Sequence, residues 1–161
     1  MLQFRENANK YGVCSEYSQR WYNCQSKKQL ADLGLSVQGI EYLCESISRG
    51  WGLSPEILSK QFSKYINGAY VFDNNSYTTK MYCCFDGSVI SDTTALCIIS
   101  SNVEINVPER AFSEVFITGK SNVKISGSGR CSIVVYGDSV VLSIEDGSTL
   151  QYKILHNTKN E

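Results

Sequence analysis

Side-chain catalysis needs a nucleophile, a base and something to hold them together. This chain offers little for the second role. Its one histidine, His156, falls in TLQYKILHNTKNE (149–161), a polar tail and a poor home for a general base. Seven cysteines (14, 24, 44, 83, 84, 97 and 131) supply thiols in odd number, with no C-x-x-C among them. With a single histidine to complete a set, a zinc site has little to draw on, and the thiols read as small buried hydrophobes. Cys83 and Cys84 are adjacent, so in a strand they point to opposite faces. Glu41 and Glu45, at i and i+4, share a helix face but lack the second pair of a carboxylate metal centre. SGSGR (126–130) lacks the Lys-Ser/Thr ending and following helix of a phosphate loop, and reads as a flexible corner. The expectation is a protein that is not an enzyme, with no catalytic residue, metal or cofactor.

Groups suited to holding a partner are more numerous. Arg20-Trp21-Tyr22 and Arg49-Gly50-Trp51 bring together residue types enriched at interface hot spots, and Lys27-Lys28 fits a polar rim. Trp in a small helical unit also packs as core, and paired lysines also serve as a solvated helix start. Lys60 and Lys64, at i and i+4 with Gln61 between, would face phosphates if segments 37–48 and 54–66 were two helices joined at Gly50-Trp51-Gly52. The competing reading is a helical hairpin packed on the rest of the chain. Charge disfavours nucleic acid: the formal net charge is −1, with 8 Lys/Arg against 6 Asp/Glu in residues 1–67 and 7 against 10 in 68–161.

The elements that position these groups change character near residue 68. Before it, Tyr17, Trp21 and Cys24 mark one face of a helix over 15–24. Ser26 and Gln29 form a capping-box pair opening a second helix that Gly34 would end. Val37, Ile40, Leu43, Cys44 and Ile47 give the stripe of a third, stopped at Gly50. Ser54-Pro55-Glu56 opens a fourth, with Ser as N-cap, Pro in the first turn and Glu at the positive end. Its stripe is Ile57, Leu58, Phe62, Tyr65 and Ile66, and Asn67-Gly68 closes it.

After Gly68 the residues are β-branched and aromatic, broken by Asp73-Asn74-Asn75-Ser76 and Asp86-Gly87, which reads as strand, turn, strand, turn. Three blocks then align: ALCIISSNVEINV (95–107), VFITGKSNVKISG (115–127) and IVVYGDSVVLSIE (133–145), offset by 20 and then 18 residues. A rung-sized period with Val and Ile in matching places suits a β-solenoid, whose coils bury their apolar sides by stacking. Asn102 and Asn122 match, as inter-coil hydrogen bonding would require. Ser143 falls against Ile125, a slip in the register. Gly119-Lys120 and Gly137-Asp138 fit hairpin turns as well, so an antiparallel meander or sandwich is the alternative. The expected fold is α+β: a helical subdomain (1–67) packed on, and capping one end of, a β-rich repeat (68–161), a short β-solenoid. Its other end would offer strand edges for self-association.

The run SKKQLADLGLSVQGIEYLCESISRGWGLSPE, followed by INGAYV, MYCCF and a valine-rich coil with Gly-Asp bends, resembles small accessory proteins of phages and mobile elements of gut Bacteroidales. The resemblance implies provenance and carries no activity or catalytic residue. The start, MLQFRENANKYGV, lacks the apolar stretch of a signal peptide, and the longest apolar run is Ala95–Ile99, far short of a membrane span. These readings lead to a cytoplasmic protein of a bacterial host cell. It would be a non-enzymatic interaction module binding a host or phage protein, such as an inhibitor of a host defence system. The alternatives are a self-associating assembly module of a phage particle and a DNA-binding regulator using helix 54–66.

Overall fold

The computed structural model describes residues 15–51 and 53–157. Cys14, Gly52, the segment MLQFRENANKYGV and the last four residues lie outside them. Four helices come first: α1 (Ser15–Asn23), α2 (Lys27–Leu35), α3 (Val37–Ser48) and α4 (Pro55–Gln61), then a 3-10 turn, Ser63–Tyr65. Ten strands follow: β1 (Phe72–Asn74), β2 (Tyr77–Cys83), β3 (Asp86–Ile90), β4 (Ala95–Ile99), β5 (Asn102–Val107), β6 (Phe112–Thr118), β7 (Asn122–Gly127), β8 (Arg130–Tyr136), β9 (Val141–Ile144) and β10 (Gln151–Asn157).

The strands wind into a β-solenoid with two walls. One is a six-stranded sheet in the order β1-β2-β4-β6-β8-β10, the other a four-stranded sheet in the order β3-β5-β7-β9. Every neighbouring pair is parallel except β1 with β2. Parallel pairing removes the meander, because successive hairpins would make each neighbour antiparallel. The repeat slip now has a geometric cause. The expected 20-residue step holds where Asn102 pairs with Asn122, while the six-stranded sheet pairs Ala95 with Glu114. The 18-residue step holds where Val115 pairs with Ile133, while Ile125 pairs with Ile144. Connections between the walls differ in length from coil to coil, so no single offset aligns both.

Inside the coil, Leu96, Ile98, Val115, Ile117 and Ile133 of one wall meet Val103, Ile105, Val123 and Ile125 of the other in one apolar core. Outside it, Asn122 Nδ2 donates to Asn102 Oδ1 at 3.1 Å and Asn102 Nδ2 to Asp86 Oδ1 at 3.0 Å, an inter-coil ladder one step longer than the matched asparagines indicated. Asp86-Gly87 opens β3 instead of making a turn; the bend falls at Cys84, with φ +52°. The Gly-rich corner at 126–130 sits between β7 and β8 as expected, but it is packed. A Cβ on Gly127, at φ +119°, would lie 2.1 Å from the Val107 carbonyl oxygen. Only glycine fits there.

The helices lie on a face of the coil and do not cap an end. α3 crosses the outer side of β6 and β8, while α2 and α4 rest on β2. Thr118 Oγ1 donates to the Cys44 carbonyl at 3.0 Å, and Ile40, Leu43, Cys44 and Leu58 pack with Cys83, Cys97, Ile99 and Phe116. Half of the capping box at Ser26 forms, Gln29 N–H donating to Ser26 Oγ, while Gln29 Oε1 accepts from Gln25 N–H at 2.7 Å, one residue before the cap. Gly34 does not end α2, because it sits under the Trp21 ring and the helix runs on to Leu35. Ser36 then ends α2 and caps α3. The α2–α3 crossing is tight enough that a Cβ on Gly39 would meet Leu33 O at 1.8 Å. The Ser54 cap forms as expected, but α4 stops at Gln61, where Phe62 leaves helical geometry and its ring turns to Tyr65.

Candidate functional site

The two tryptophans are core. Trp21 is 9% exposed and Trp51 3%, and both pack on Tyr42 in an aromatic cluster that includes Tyr17. Of the two readings given them, core and interface hot spot, their burial in this cluster favours core, since rings packed on one another remove large apolar surfaces from water. Arg20 stays exposed over the Tyr17 ring and donates to Gln38 Oε1, and Tyr22 is at the surface. Lys28 pairs with Asp32 at 2.7 Å and bonds the Tyr70 hydroxyl, and the Asp32 bond raises its pKa. Arg49 pairs with Glu45 at 2.7 Å, which spends the two groups on one helix end. Lys60 lies on α4 and Lys64 in the 3-10 turn, so the i, i+4 pairing on one recognition helix is lost. Lys27 reaches from α2 to α4 and donates to Gln61 O and Oε1, each at 3.1 Å.

The cysteines of the described residues are all free thiols. Cys83, the last residue of β2, is buried, while Cys84 falls at the positive-φ bend that follows and is exposed, so the bend and not strand alternation separates the two thiols. Cys44 and Cys97 meet between α3 and β4 with sulfurs 3.8 Å apart. Burial raises the thiol pKa at Cys44 and Cys83, and to about 12 at Cys131, so these groups stay protonated, poor nucleophiles. Among the described residues no three His, Cys, Asp or Glu side chains cluster to hold a metal ion. His156 lies in β10, exposed, and not in a loose tail.

The surface that the fold leaves open is the last coil. β10 ends the six-stranded sheet and pairs only with β8 among the described residues, and β9 ends the other sheet. Tyr152, Ile154 and His156 stand in register with the inward-facing Cys131, Ile133 and Val135. Among the described residues no further coil stacks on them, and Tyr152 is 51% exposed. Leu155, in register with Val134, is 44% exposed; among the described residues the helices pack mainly on β2, β6 and β8 and make no extensive contact with β10. Val141 is 62% exposed and stands where the Asp86–Asn102–Asn122 ladder would continue. Tyr152, Leu155 and Val141 were not singled out as site residues from the sequence. The available signal was a strand of apolar and aromatic residues after the last repeat, with no further block to cover it.

No protein-family model, curated protein or solved structure matches this chain. No helix among the described residues is long and apolar enough to cross a membrane.

Proposed function

We propose that this chain is a non-enzymatic protein-interaction module that docks through its open last coil, with a second copy of itself as the occupant. The observation that carries the reading is the edge of β10, unpaired among the described residues, with Tyr152 and Leu155 exposed on the strand itself. An open edge offers a row of backbone donors and acceptors to another strand, and apolar side chains beside it add burial. The strand itself, QYKILHN, suits self-pairing. An antiparallel pair centred on Ile154 sets Tyr152 opposite His156 and Lys153 opposite Leu155, so no like charges are directly opposed. The far edge of the same sheet is a three-residue strand, β1, too short to template a second contact of this kind. The tail-to-tail contact is therefore isologous and closes as a dimer, not a fibre.

Sedimentation velocity over a wide concentration range tests this, with a monomer–dimer equilibrium expected. The Leu155→Lys substitution places an ammonium opposite Lys153 of the second copy and should weaken the dimer at least tenfold, an effect of about 1.4 kcal/mol. The thermal midpoint should hold. A strict monomer at high concentration overturns self-pairing. A phage or host protein captured by the wild type and lost with Leu155→Lys would put a different strand on the same edge.

A further inference from the structure

Away from the open coil, a cavity of about 440 Å³ lies among the helices and β2. Its size falls within the ~300–1,000 Å³ of small-molecule sites and is roughly three times the ~150 Å³ that admits a benzene. The lining is almost wholly apolar, with Leu30, Ala31, Leu43, Leu58, Phe62 and Met81 among its walls. Four lining residues carry polar groups: Trp21 and Tyr65, whose rings join the wall, and Lys27 and Gln61, both exposed beside half-exposed Ile57; Lys27 is the one charged residue among them.

Lys27 is what gives this space a chemical preference. Its ammonium contacts neutral acceptors only, the Gln61 carbonyl and side-chain oxygens. The ion pairs among the described residues use Lys28, Arg49, Lys80 and Lys124, and none uses Lys27. Among the described residues no carboxylate lines the cavity. An ammonium has three donors, and two point to Gln61, so one is left for a ligand without breaking the bridge between α2 and α4. The apolar depth with one uncompensated cation at its lip matches a ligand with an apolar body and an anionic carboxylate head.

We propose that this cavity is a binding site for amphipathic carboxylates, the class of medium-chain fatty acids. The alkyl chain occupies the space between α2, α3 and α4, and the carboxylate takes the remaining Lys27 donor as a charge-assisted hydrogen bond. The site is made of other elements than the β9–β10 edge, so it stands or falls independently of the dimer.

Calorimetric titration with decanoate, below its micellar concentration, and with decan-1-ol as the uncharged counterpart tests it on the full chain. Wild type should bind one equivalent of decanoate saturably. Lys27→Met, a surface change, should weaken decanoate about tenfold and leave decan-1-ol unchanged. Ala31→Phe fills the cavity and should weaken both, with the thermal midpoint recording whether it folds. Absence of saturable decanoate binding to the wild type overturns the site. A Lys27→Met protein with an unchanged preference for decanoate over decan-1-ol overturns the carboxylate class, whatever Ala31→Phe does.

Discussion

The two walls of the coil enclose one core, yet only the six-stranded sheet is buried on both faces. β4, ALCII, is buried at every residue because the coil interior lies on one side and α3 on the other. β5, NVEINV, alternates exposed and buried because its outer face meets water. What covers the outer face therefore decides the composition of a strand whose inner face is constant. β10 belongs to the first wall by pairing but is largely exposed, and among the described residues no helix packs extensively on it. Its exposed apolar residues have no packing partner among the described residues to account for them, and that is why docking is proposed there.

The comparison breaks most sharply at the covered face. Phe116 lies under the helices and Glu104 on the bare wall. Phe116→Ala should cost about 3–5 kcal/mol in urea unfolding, and Glu104→Ala no more than about 0.5 kcal/mol. A Phe116→Ala cost below about 1 kcal/mol would mean that the helices ride on the coil without forming one cooperative unit with it.

A smaller effect comes from the buried thiols and phenols. Burial lifts Cys131 from its ordinary 9.0 to about 12, and Tyr17 and Tyr42 from 10.0 to about 12. Between about pH 9 and 12 the unfolded chain releases protons that the fold retains, so the unfolded state binds fewer and stability falls as pH rises. Below pH 9 that contribution is fully present. The thermal midpoint should decline over this window, and Cys131→Ala should flatten the early part of the decline. An unaltered slope would remove the coil interior as a source of the alkaline sensitivity.

The smallest change is expected on the bare wall, where Lys124 and Glu145 pair across neighbouring coils at 2.6 Å with both side chains substantially exposed. Lys124→Ala should shift stability by about 0.5 kcal/mol or less, and the shift should vanish in high salt. A salt-insensitive loss would show that this face is more than a solvated surface.

Much of the local structure was legible because its cause is local. Ser54-Pro55-Glu56 starts α4 by satisfying its own backbone, and Ser26 with Gln29 opens α2 in the same way. The Val37–Ser48 helix and the repeat of apolar pairs follow from period alone. The stacked asparagines were legible as well, since two matching positions in a repeat must adjoin. The candidate sites were much less so. Lys27 was visible as a charge, but nothing near it in sequence shows that it faces Gln61 across an apolar space.

The rest was settled by contacts between segments far apart in the chain. Gly34 stays helical with Trp21 packed on it from the preceding helix. Trp21 and Trp51 became core because Tyr17 and Tyr42 were there to receive them. The sequence by itself determined the element types and the coil repeat, which depend on side-chain size, period and composition. Tertiary structure alone decided that the helices cover a wall and not an end, leaving β10 bare and a cavity behind Lys27. Burial is a property of what lies opposite, and no residue carries that information alone.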